Sequence, residues 1–195
     1  MPATARTPLA DLPAIVTGTH TLTEQPLSGK LNLRGNPRDA AFLGAVEQTL
    51  VALPAQANTV TRRQSIMASW LGPDEWLITT PLDQVANHAA QLRSALGQSP
   101  FALTDVSDYT TTLRLRGPQA AQILATATPL DLRAHAFAPG QCAQTRLGHA
   151  GILLWAIDDT PTYDIQIRWS FAQYLFDLLA RGIADCEAMA TLANR

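Results

Sequence analysis

The chain has 195 residues and a mass of 21.0 kDa, enough to bury a core without disulfides or metals. Hydrophobic residues make up 47%, which excludes wholesale disorder and low-complexity chains. Lys+Arg 14 against Asp+Glu 16 leaves a formal charge of -2; without a basic excess to neutralise phosphates, neither nucleic acid nor a membrane surface is expected as a partner.

In chain order, residues 1–29 are rich in Thr, Pro and Ala with no sustained period, which predicts an N-terminal arm, ordered only against a partner, ahead of a domain over 30–195. KLNLRG from Lys30 alternates like a half-buried strand, and Asn36 and Pro37 then open DAAFLGAVEQTL as N-cap and first helical residue. Residues 54–61 are expected as a loop. RQSIMASWLGPDEWLITT reads as two strands about a tight turn at Gly72, Pro73, Asp74 and Glu75, whose carboxylates suit the turn's own amides. A helix from about Leu82 to Leu96 ends at Gly97, and Phe101 to Val106 is a strand.

The order then repeats. TTTLRLRG is a strand, Pro118 starts a helix through Leu124, QCAQTRL and GILLWAI pair, and YDIQIRW feeds a helix capped by Ser170 and ended by Gly182. Helices separated by paired strands predict an α+β fold of two similar strand-helix-strand-strand halves, about 30–106 and 107–195, packed together.

Chemistry-bearing patterns are sparse. No GxxxxGK[ST] or GxGxxG string is present to cradle phosphates. His20, His88, His135 and His149 never take the HxxxH or HExxH spacing that aims two imidazoles at a metal. Cys142 and Cys186 lack CxxC spacing, and a reducing cytoplasm is the expected setting. Cys142 with His135 or His149 can be written as a nucleophile and base, but inside a strand the thiol reads as a small buried hydrophobe. The carboxylates Asp74, Glu75, Asp105, Asp108, Asp158 and Asp159 all fall in predicted turns, where solvation and backbone amides explain them. No stretch approaches the ~20 apolar residues of a membrane span. Charged residues are only 15%, against roughly 25% in an average domain, a composition suited to protein contacts.

WLGPDEWLI, Trp70 to Ile78, resembles the signature of the gamma subunit of heterotetrameric sarcosine oxidase. KLNLRG, LTDVSDYTTTLRLRGPQAAQILATATPLDL, FAPGQCAQTRLGHAGILLW and YDIQIRWSFAQYLFDLL resemble the same family in the same order, over roughly Leu31 to Gly182. The resemblance implies a non-catalytic subunit of a complex that oxidises sarcosine to glycine, hydrogen peroxide and a one-carbon unit passed to tetrahydrofolate or released as formaldehyde. It implies alpha, beta and delta subunits as partners, with FAD, FMN, NAD and tetrahydrofolate held on them. No catalytic, cofactor-binding or metal residue is then expected on this chain. Trp70, Leu71, Gly72, Pro73, Asp74, Glu75 and Trp76 stand as the family motif and a possible interface.

More distantly, DVS, RGPQAAQIL, PLDL and PGQ are similar in order to the glycine cleavage T protein and other folate-binding aminomethyltransferases. In that family an acidic pair in the strand after a Gly-Gly turn works on the folate-bound carbon. Here Ala150, Gly151 and Ile152 fall at its place, so the resemblance implies the fold without the chemistry. The alternatives are an equivalent subunit of a related complex such as N-methylglutamate dehydrogenase, or a free-standing folate-dependent transferase.

Overall fold

The computed structural model describes residues 6–193. In chain order its elements are β1 (Ile15–Val16), β2 (Thr21–Glu24), β3 (Ser28–Gly35), α1 (Ala40–Thr49), β4 (Val60–Arg63), β5 (Ile66–Gly72), β6 (Glu75–Pro81), α2 (Val85–Leu96) and β7 (Phe101–Asp105). They continue with β8 (Thr110–Arg116), α3 (Ala120–Ala125), β9 (Cys142–Leu147), β10 (Ala150–Asp158), β11 (Thr162–Arg168) and α4 (Ala172–Ala193). The chain divides into two units. The N-half unit holds Leu27–Tyr109 with Gly140–Ala143, and the C-half unit holds the described residues up to Pro26, Thr110–Pro139 and the chain from Gln144 onward.

The N-half unit is built on a five-stranded sheet of order β4-β5-β6-β3-β7. Strand β3 pairs antiparallel with both β6 and β7, so the β6-α2-β7 crossover straddles it. Leu31 and Leu33, two apart and therefore on one face, are fully buried against Phe42 and Val46 of α1 and Val85 and Leu92 of α2. The C-half unit has a six-stranded sheet, β1-β2-β8-β11-β10-β9. Leu113 and Leu115 of β8 and Leu175 of α4 are fully buried there. The fold is α+β, as expected, with a sheet and helices in each half.

Local expectations differ from the structure at several points. The stretch expected as an arm carries β1 and β2. Leu22 is fully buried, and Thr21 to Glu24 pair with Arg116 to Leu113 of β8. The reason is the edge of β8, whose backbone groups need partners; β2 fills beside β8 the place that β7 fills beside β3. Asp39, not Asn36, caps α1, accepting from the amides of Ala41 and Phe42. Part of the expected loop over 54–61 is already strand at Val60. Helix α3 begins at Ala120 rather than Pro118. Gly182 does not end the last helix, which runs on through it; a Cβ at that position would come within 2.8 Å of Ile123 Cγ2, so the glycine permits the close approach of α3 and α4.

Candidate functional site

The Trp70 to Trp76 string forms the β5-β6 hairpin. Trp70 pairs with Trp76 across it, and a bulge after Trp70 brings Gly72 opposite Glu75. Trp76 is 2% exposed. Its indole Nε1 donates to the Pro54 carbonyl at 3.0 Å, and its ring centroid lies 6.1 Å from that of Phe42. The motif's second tryptophan is therefore a core residue of its unit. Trp70, Leu71 and Gly72 are half-buried, and Pro73 and Asp74 are exposed. The carboxylates do not serve the turn's own amides as expected. Asp74 accepts from Arg34 Nη2 at 3.2 Å to each oxygen, and Glu75 Oε1 accepts from Asn32 Nδ2 at 2.8 Å. Both thus tie the hairpin to β3. The Arg34–Asp74 pair is half exposed on both sides and adds register more than stability.

The nucleophile reading of Cys142 meets an unfavourable environment. The side chain is fully buried, and its thiol faces the carbonyls of Thr59 and Trp70 at 3.5 and 3.6 Å. Burial pushes its pKa up to about 11, which holds it as the thiol. His20 is buried, with Nδ1 2.8 Å from Thr19 Oγ1 and Nε2 accepting from the Gln119 amide at 3.3 Å. His88 is buried with Nδ1 2.6 Å from Thr80 Oγ1. Both act as pins between backbone segments and side chains. Among the described residues no three His, Cys, Asp or Glu side chains form a metal-holding group. Asp105 accepts from the amide and hydroxyl of Ser107, and that hydroxyl accepts from the Lys30 amide at 2.9 Å. Ala150 and Ile152 are buried and Gly151 is exposed.

Sequence reasoning passed over two features. Lys30 is the chain's sole lysine and is 2% exposed. Burial lowers its ammonium pKa to about 8, against the attraction of Asp105 and Asp108. The other feature lies in the C-half unit, where α3, the segment after it and the β10-β11 turn surround a cavity of about 460 Å³. Phe137 and Tyr163 line it, their rings stacked at 6.4 Å and 10°. Tyr163 is 6% exposed, and burial raises its phenol pKa. Among the described residues its hydroxyl has no hydrogen-bond partner. Asp131, Asp158, Asp159 and Arg133 also line the cavity. Arg133 grips Asp131 through Nε and Nη2, at 2.9 and 2.5 Å to the nearer oxygens, which holds that carboxyl well below the usual range.

The model of the sarcosine oxidase, gamma subunit family matches residues 34–185. The chain belongs to the sarcosine oxidase gamma subunit family. It is 32% identical over 169 residues to the sarcosine oxidase subunit gamma of Corynebacterium sp. (strain P-1), covering 86% of this chain and 82% of that protein. The likeness to a solved structure runs nearly end to end. Heterotetrameric sarcosine oxidase from Corynebacterium sp. U-96, in complex with pyrrole 2-carboxylate, contains a chain matching at a TM-score of 0.84 and 28% identity, over 93% of this chain and 95% of that one. The glycine cleavage system aminomethyltransferase T from Bartonella henselae matches at a TM-score of 0.59 and 16% identity, over 83% of this chain and 45% of that one, a likeness of fold alone. No helix among the described residues is long and apolar enough to cross a membrane.

Proposed function

We propose that this chain is the gamma subunit of a heterotetrameric sarcosine oxidase. It has no active site of its own in this reading, and the complex oxidatively demethylates sarcosine to glycine, with hydrogen peroxide and a one-carbon unit as the other products. The observation that carries it is the likeness to a chain of the Corynebacterium heterotetramer over 93% of this chain and 95% of that one. The interior fits this reading: burial holds the Cys142 thiol protonated, which disfavours it as a nucleophile.

The partners are then the alpha, beta and delta subunits. FAD, FMN, NAD and tetrahydrofolate belong to them, the carbon leaves as a folate adduct or as formaldehyde, and the assembly works in the cytoplasm. Of the family motif, Trp70, Leu71, Gly72, Pro73, Asp74 and Glu75 keep exposed area to meet a subunit, while Trp76 holds the hairpin from within.

Affinity purification of the tagged chain from its host tests the reading. Larger flavin-bearing subunits should copurify, and the complex should release peroxide with sarcosine. Recovery of the chain alone, or a complex that oxidises N-methylglutamate and leaves sarcosine untouched, overturns it.

A further inference from the structure

We propose that the cavity beside Tyr163 is a socket for an arginine of a partner subunit, its guanidinium set toward Asp158 and Asp159 and its stem along the Phe137 floor. The inference rests on reading the chain as one subunit of a larger complex.

The two units supply an internal control. Strands β3 and β8 close on matching text, Leu31-Asn32-Leu33-Arg34-Gly35 and Leu113-Arg114-Leu115-Arg116-Gly117. Trp76 lies across from Leu33, and Tyr163 lies across from Leu115. Each of these aromatics packs on a phenylalanine, Phe42 or Phe137. In the N-half unit the polar end of the aromatic is satisfied by the chain's own Pro54 carbonyl. In the C-half unit Tyr163, a residue 6% exposed, lines the cavity, and among the described residues its hydroxyl has no partner. The hydroxyl oxygen itself opens to solvent in the cavity, and an occupant that displaces this solvent must supply a donor in its place.

Charge then selects the occupant. Asp131 and Arg133 neutralise one another, and Arg114 is held bidentately by Asp164 at 2.7 Å on both contacts. Asp158 accepts from Thr160 Oγ1 at 3.0 Å and attracts Arg114, but Arg114 is already matched by Asp164, so Asp158 and Asp159 together leave the lining with more negative than positive charge. Arginine fits this lining better than lysine. Its planar guanidinium offers five N–H donors to two carboxylates and a phenol oxygen, and it stacks on aromatic faces. A cavity of about 460 Å³ has room for such a side chain with its neighbours. Arginine, tyrosine and phenylalanine are also the residues that concentrate at interface centres.

The test uses the co-expressed complex and the full chain. Carbodiimide with glycine ethyl ester should label Asp158 and Asp159 in the free chain and much less in the assembled wild type. Phenylglyoxal should spare one partner arginine in the wild-type complex and modify it in the Asp158→Asn/Asp159→Asn complex. The double variant should bind its partners about tenfold more weakly with a flatter salt dependence, and Tyr163→Phe should weaken binding by a smaller factor at unchanged thermal stability. Equal carboxyl labelling in both states, or no partner arginine whose reactivity follows the two aspartates, overturns the proposal while leaving the subunit reading intact. A wild-type chain that recruits no subunits overturns both.

Discussion

The two units build one corner from the same parts and finish it differently. Each sets a large aromatic across from the second leucine of an LxLRG strand and lays a phenylalanine beside it. In the N-half unit the loop after α1 folds back and gives its Pro54 carbonyl to the indole, so the corner closes as core. In the C-half unit the segment after α3 leaves a cavity, and the phenol keeps its hydrogen-bonding capacity. The same contrast appears at the sheet edges. β7 follows α2 and lies beside β3, whereas the matching place beside β8 is taken by β2 from the start of the chain. Repeated architecture therefore does not imply repeated use: one corner serves stability, and its counterpart is available for recognition.

The largest effect should come from breaking the closed corner. Trp76→Ala removes a side chain that is 2% exposed and should cost about 3–5 kcal/mol of folding stability. Trp70→Ala, at a half-buried position, should cost clearly less. Denaturant unfolding of the two variants checks the ranking, and equal losses would mean that both tryptophans are core. Next is the borrowed edge. Leu22→Ala should cost about 2–4 kcal/mol because Leu22 is fully buried in the C-half sheet. Amide exchange in the free chain should find the ladder between β2 and β8 protected; fast exchange there would restore the arm that the sequence suggests.

That edge marks where sequence reading reached its limit. LNLRG and LRLRG announce their strands by alternation, and GPDE announces its turn. Gly97 does end α2, with φ at 53°. These are local signals. Strand β2 is four residues among Thr, Pro and Gly, and only the unpaired edge of β8, remote in sequence, makes it a strand. Gly182 misled for the same reason, since a glycine that normally stops a helix is here required by Ile123 of α3. The cavity was illegible as well, because Phe137, Asp158 and Tyr163 share no motif spacing and meet only through the β10-β11 turn and the segment after α3.

A third expectation contrasts two cations. Arg114 gains a bidentate carboxylate and its pKa is raised, whereas Lys30 is buried and its pKa is lowered from 10.5 to about 8. For a lysine lowered in this way, the native state releases its proton before the unfolded chain does. Between about pH 8 and 10.5 the unfolded state binds more protons, so this group makes stability rise with pH through that window and leaves it flat below. The gain should total about 3 kcal/mol. Lys30→Met should abolish the rise. Because Lys30 is the sole lysine, selective 13C-lysine labelling yields one side-chain signal to titrate, and a midpoint near 10.5 would refute the lowered pKa.

The smallest effect discriminates most finely between the two corners. Trp76→Phe keeps an aromatic ring but deprives the Pro54 carbonyl of its donor and leaves space where the indole stood; together these should cost about 2 kcal/mol. Tyr163→Phe removes a hydroxyl that bonds nothing among the described residues and should change stability by less than about 0.5 kcal/mol. The matched substitutions at matched positions thus separate a hydrogen bond made from one withheld. Thermal unfolding of both variants at pH 7 gives the comparison directly. A loss of about 1 kcal/mol or more in Tyr163→Phe would mean that the phenol is already satisfied within the free chain, and the C-half corner would then be closed like its counterpart.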